Sequence, residues 1–165
     1  MSTIMLFHAS IPARDAAKVA DVLAKVWRGE AMAFPPVPGA HVVFAGDERA
    51  TTLEVYPDDR TLEPSPAGVA IGRGEGRHGY VGDHVAIASP LSVGEVLAIA
   101  AEAGWRAQEA NRGDIFHVVE LWLEDRYMVE VLTPDMQRDY VARVTPSAWR
   151  ALLAAGPQAP GGVRA

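Results

Sequence analysis

The chain has no cysteine in its 165 residues. That absence excludes a disulfide framework, thiolate metal ligation and a cysteine nucleophile, and it fits a reducing compartment. It also lacks any excess of positive charge. Fifteen Lys and Arg against 21 Asp and Glu leave a net charge of −6, which argues against a polyanion-binding surface and so against nucleic acid as a partner. Long hydrophobic runs are missing too. The first apolar stretch, Ile4 to Phe7, has no basic leader and is too short for a signal-peptide core or a membrane span. The expectation is a cytoplasmic protein with no membrane partner and a small organic molecule as its ligand. What is present is ordinary globular material, 49% apolar and 22% charged, enough to bury roughly two thirds of the unfolded surface without a covalent staple.

The chain repeats itself. At a shift of 76 residues His8 falls on His84, Ile11 on Ile87, Ala24 on Ala100, Ala31 on Ala107, His41 on His117, Val42-Val43 on Val118-Val119, Glu48 on Glu124, and Glu54-Val55 on Glu130-Val131. The structural signals recur in the same order. Each half opens on an alternating strand with a His, Ile4 to Ile11 and then Asp83 to Ala88. An amphipathic helix follows: Asp15 to Arg28, stopping at Gly29, and a second one opened by the capping box Ser92-Val93-Gly94-Glu95 and ended at Gly104. Three extended segments complete each half: Ala31 to Phe34, Ala40 to Ala45 and Thr51 to Tyr56 in the first, Arg106 to Ala110, Ile115 to Leu123 and Tyr127 to Leu132 in the second.

With these elements in hand, the sequence resembles the vicinal oxygen chelate superfamily, which includes glyoxalase I, extradiol dioxygenases, fosfomycin-modifying enzymes and bleomycin-binding proteins. The residues that carry the resemblance are His8 in FHASI, Glu54 in LEVYP, His84 in DHVAI and Glu130 in VEVLTP, over about residues 3 to 135. The implied fold is α+β, two βαβββ modules forming a cupped mixed sheet with helices outside, plus short C-terminal helices. The expected organisation is a first module at 3–56, a linker at 57–82, a second module at 83–135, C-terminal helices at 136–155 and a disordered tail at 156–165. The resemblance makes His8, Glu54, His84 and Glu130 ligands of one divalent metal, with Zn, Ni, Mn, Fe(II) and Co as candidates. The activity it implies is that of a glyoxalase-like lyase, isomerase or dioxygenase, with a small oxygenated substrate chelating the ion. The alternative is a non-catalytic binder of small molecules, like the bleomycin-resistance proteins. Pairing of two chains into a homodimer is left open.

Side-chain parity is consistent with that ligand set. Alternate strand residues face opposite sides, which puts His8 with Ser10, His84 with Ala86 and Ala88, Glu54 with Thr52 and Tyr56, and Glu130 with Met128 and Leu132, all on the face away from the helices. Glu120 falls on the same face beside Trp122, with Phe44 as its partner in the first half. Glu120 and Glu130 are therefore the candidate catalytic carboxylates, either one able to move a proton. His41 and His117 fall on the helix side, where structural histidines bonded to backbone are expected. The connector from Pro57 to Gly82, rich in Gly and Pro, reads as a mobile linker or as a flap bringing Arg73, Arg77, His78 or Tyr80 to an anionic substrate. Thr133-Pro134 and Thr145-Pro146 each offer a helix N-cap followed by Pro.

Overall fold

The computed structural model describes residues 6–66, 68–76, 79–80 and 82–155 of the chain. Helix α1 (Ala16–Trp27) starts where Asp15 accepts from the Lys18 N–H and ends at Arg28, whose left-handed backbone satisfies the last carbonyls. Gly29 follows because a Cβ there would lie 2.0 Å from the Phe44 carbonyl oxygen, so only glycine lets the chain turn this close to the neighbouring strand. Helix α2 (Val93–Ala103) has the expected capping box between Ser92 and Glu95, and Gly104 closes it with φ of 77°. Val19, Leu23 and Val26 of α1 and Val96 and Ala100 of α2 are buried, each of the larger side chains contributing about 1.5–3 kcal/mol by leaving water.

Each helix lies on a four-stranded sheet of the same topology. In the first module, β1 (His8–Ala13), β2 (Glu30–Ala33), β3 (His41–Phe44) and β4 (Thr52–Pro57) are ordered β1-β4-β3-β2, with β1 and β4 parallel. Two further strands, β5 (Arg60–Ser65) and β6 (Gly68–Arg73), come next in sequence. The second module repeats the first, with β7 (Val85–Ala88), β8 (Ala107–Asn111), β9 (His117–Leu123) and β10 (Tyr127–Leu132) in the order β7-β10-β9-β8. Ile11, Val43, Leu53 and Val55 under α1 and Ile87, Leu121, Val129 and Val131 under α2 belong to one continuous core. The expected pair of strand, helix, three-strand modules is what the chain forms.

Polar contacts tie the modules together. The Ser89 hydroxyl donates to the Val26 carbonyl at 2.6 Å, and the backbone N–H groups of Arg14 and Asp15 donate to the Glu124 carboxylate at 2.9 and 2.7 Å. Buried Arg126 pairs with Asp58 at 3.0 Å. The free edges of β1 and β7 then flank a cleft of about 790 Å³, lined among others by Phe7, His8, Trp27, Ala86, Ser89 and Gln137.

Three expectations are corrected. The connector is not irregular: β5 and β6 form a hairpin in which Leu62 faces Ile71, and its base is held by Arg60 and Arg73 on Asp59. Cross-strand pairing formed there although Pro64 and the glycines weaken any strand signal in the sequence. Second, β1 runs to Ala13 and begins at His8, later than expected; residues 4 and 5 lie outside the described residues. Third, the repeat is not a single shift. Val42 stands opposite Glu54, whereas Glu120 stands opposite Glu130, so β3 matches β9 at a shift of 78 (120 − 42). Met32 opposite Val42 and Gln108 opposite Glu120 return the outer strands to 76 (108 − 32). Two extra residues before β9 are cancelled by two fewer in its hairpin, which hides the slip from an ungapped alignment. The counterpart of Glu120 is thus Val42, not Phe44, and His41 and His117 do not correspond.

The C-terminal helices α3 (Pro134–Arg143) and α4 (Pro146–Ala154) follow their threonines as expected, although only Thr145 caps with its side chain. Tyr140 of α3 packs edge-on against Phe116, ring centroids 4.9 Å apart, and so covers one end of the second module's open face. The tail from Gly156 lies outside the described residues. No helix among the described residues is long and apolar enough to cross a membrane.

Candidate functional site

On the open face of each sheet a cross-strand row passes through the Glu of the last strand. In the first module it runs Ser10, Glu54, Val42, Met32; in the second, Ala86, Glu130, Glu120, Gln108. His8 lies opposite Thr52, one pair along from Glu54 on the same face, and His84, just before β7, continues the same register beside Glu130.

The second row is the more polar and the better buried. Glu120 and Glu130 keep only 8% and 7% of their surface exposed, and carboxylates facing each other across strands repel. Arg112, from the turn between β8 and β9, settles the repulsion. Its Nε and one terminal nitrogen donate to Glu130 Oε1 at 2.9 and 2.7 Å, and its other terminal nitrogen donates to Glu120 Oε1 at 2.7 Å. Gln108 donates to Glu120 Oε2 at 2.8 Å. Burial pushes the Glu120 carboxyl up, but the hydrogen bonds from Gln108 and Arg112 and the Arg112 charge outweigh it and hold the group below the usual carboxylate range. A carboxylate stabilised as its anion in this way is a weak proton acceptor.

Among the described residues, the first row has no such cation. Glu54 accepts from the Ser10 and Tyr56 hydroxyls, both at 2.9 Å to Oε2. Burial and the Glu54 carboxylate push the Tyr56 phenol up to about 12, so it remains a donor through neutral pH. Phe34 stacks on the Tyr56 ring at 6.1 Å.

The expected ligands His8, Glu54, His84 and Glu130 all occupy the open face, but the single chain does not gather them. Among the described residues no three His, Asp or Glu side chains are arranged to hold a metal ion. At Glu130, Arg112 donates two N–H groups to Oε1 and so already supplies the positive charge an ion would bring. His8 and His84 are exposed, and His84 Nδ1 lies 3.1 Å from the Gly82 carbonyl. The donor types suit a divalent ion, and within the described residues of the single chain they are not brought together around one point.

Neither extra histidine is backbone-bonded as expected. His117 is exposed, with Nδ1 3.7 Å from Glu109, and the buried Nδ1 of His41 has no hydrogen-bond partner among the described residues. Of the expected flap residues, Arg73 is turned to Asp59, while Tyr80 lies edge-on to Trp122 at 5.6 Å and accepts from Arg106 at 2.8 Å. Tyr80 therefore sits at the rim of the second half-cup; Arg77 and His78 lie outside the described residues. Sequence reasoning missed Arg112 and Gln108. Two carboxylates assigned to one face were the available signal, since such a pair demands a nearby cation.

Paired βαβββ modules with parallel first and last strands are the vicinal oxygen chelate fold, and this chain has it. Among similar solved structures are the fosfomycin resistance protein FosX of Listeria monocytogenes complexed with Mn(II) and sulfate, 11% identical with a TM-score of 0.53 over 86% of this chain and 98% of that one, and a lactoylglutathione lyase from Agrobacterium tumefaciens, 14% identical with a TM-score of 0.52 over 79% and 94%. At such identities the likeness establishes the fold alone. No family model and no curated protein matches the sequence.

Proposed function

We propose that this chain is a small-molecule-binding protein of the vicinal oxygen chelate fold, holding an organic ligand on the open face of its paired sheets with no metal ion on Glu130. The observation that carries this reading is Arg112, whose guanidinium bridges Glu120 and Glu130 at 2.7 Å to each and so supplies the positive charge those carboxylates require. The cleft of about 790 Å³ between β1 and β7 is of the size that encloses a small organic molecule.

A second reading has one specific observation in its favour. Glu54 and Glu130 hold the same register against β1 and β7, with His8 and His84 beside them. That is the placement a metal-dependent glyoxalase-like enzyme would use, with these four residues as ligands and an oxygenated substrate on the ion.

Elemental analysis of protein purified without chelator separates the two, combined with thermal melts against a panel of small oxygenated and aromatic compounds with and without EDTA. The proposed reading predicts a metal content far below one ion per chain and ligand-induced stabilisation that EDTA leaves unchanged. One ion per chain, and stabilisation that EDTA abolishes, would establish the metal enzyme instead.

A further inference from the structure

We propose that Glu54 anchors the positively charged group of an organic cation, an ammonium or guanidinium carried on an apolar body. This rests on the small-molecule-binding reading above and gives the ligand's chemistry at the first half of the cup. The second module displays, within the chain, how a last-strand carboxylate on this face is satisfied: two N–H groups of a guanidinium converge on one oxygen of Glu130. Glu54 occupies the same register in the first module, opposite Ser10 as Glu130 is opposite Ala86. Among the described residues, nothing that answers Glu130 has a counterpart around Glu54. Val42 stands in place of Glu120 and Met32 in place of Gln108. The turn from Pro35 to Gly39, which corresponds to the one bearing Arg112, holds no Lys or Arg.

Glu54's own partners are two neutral hydroxyls, and no Lys or Arg among the described residues pairs with it. A half-buried carboxylate in an apolar row has lost solvation without gaining a counter-charge. A ligand cation would restore it. A cleft of about 270 Å³ bordered by Ser10, Tyr56, Asp58 and Arg60 lies beside the two hydroxyls that Glu54 accepts from. Arg60 does not fill the role, because it is engaged by Asp59 at 2.7 Å. Phe44 and Met32, both partly exposed, lie on the same face as Glu54 and offer an apolar and aromatic bed for the rest of the ligand. In the second module's row Glu130 and Glu120 are already met by Arg112 and Gln108, so the selectivity for a cation belongs to the first.

The test uses benzamidine, an aromatic amidinium, and benzamide, its neutral isostere, titrated by NMR into wild type, Glu54→Gln and Glu54→Asp. The same preparations are titrated with Zn(II) by calorimetry. Wild type should bind benzamidine about tenfold more tightly than benzamide, the margin of one charge-assisted hydrogen bond, with shifts at Ser10 and Tyr56. Glu54→Gln, an isosteric change checked by its circular dichroism, should equalise the two compounds, and Glu54→Asp should keep part of the preference. Equal binding of both compounds to wild type without zinc binding, or a preference that survives in Glu54→Gln, overturns this proposal alone. Tight zinc binding that Glu54→Gln abolishes overturns the reading beneath it.

Discussion

The two half-cups are built on one pattern and differ in how they treat a carboxylate. In the second module, Glu130 meets Glu120 across the strands, and the pair is closed by Arg112 and Gln108. In the first, Glu54 meets Val42 and is left with two hydroxyls. Register makes the difference, since a slip of two residues in β3 relative to β9 replaces an acidic neighbour with an apolar one. A symmetric fold thereby presents an asymmetric face: one half internally satisfied, the other short of a positive charge. Duplicated modules can thus divide their labour without any change of topology.

Removing Arg112 puts the largest strain on this comparison. Breaking a buried ion pair by deleting one partner costs about 3–5 kcal/mol, and since the Arg112 side chain is 31% exposed the expected loss for Arg112→Met is at the low end or just below, about 2–3 kcal/mol, read from urea unfolding. Glu54→Gln should cost less than about 1 kcal/mol, because only neutral hydrogen bonds are weakened. Equal losses in the two variants would mean the half-cups are not different in kind. The triple variant Arg112→Met, Glu120→Gln, Glu130→Gln sharpens the point. With the charges removed together, most of the loss should return, whereas strictly additive losses would show that the three groups do not act as a network.

A smaller effect is expected in acid. The Glu120 carboxyl sits below its ordinary value of 4.5 in the folded chain, so its contribution is complete above that value and is lost as pH falls through the lower folded one. Wild type should therefore lose stability more steeply than Glu120→Gln on going from pH 5 to pH 3, and parallel curves would contradict the pairing. The smallest effect belongs to Tyr56→Phe. It removes one donor to Glu54 and should lower stability by about 1 kcal/mol or less. With the phenol pushed up to about 12, that difference should be the same from pH 6 to pH 9; a difference that fades across that range would show the phenol titrating there.

Much of the architecture was legible in the chain. Helical spacing, the capping box at Ser92 and the stops at Gly29 and Gly104 located both helices, and alternation located the strands and the open face of His8, Glu54, Glu120 and Glu130. Register was not legible. Period-two patterns survive a slip of two residues unchanged, so the coincidence of His41 with His117 suggested an equivalence that the pairing of Glu54 with Val42 overturns. The hairpin from Arg60 to Arg73 was hidden because its stabilisation is cross-strand, between Leu62 and Ile71, and each strand alone is interrupted by Pro or Gly. Arg112 was hidden for a different reason. It lies in a turn, and nothing in local sequence reports that a turn side chain reaches back over the sheet to two carboxylates eight and eighteen residues away.

The second module's carboxylates take their positive charge from within the chain. Calorimetric titration of Ni(II), Zn(II) and Mn(II) into wild type, Arg112→Met and Glu130→Ala tests it most directly. Weak binding is expected in wild type and in Glu130→Ala alike, with affinity rising only in Arg112→Met, where two adjacent carboxylates are set free. Tight binding of one ion per chain by wild type, abolished in Glu130→Ala, would contradict it.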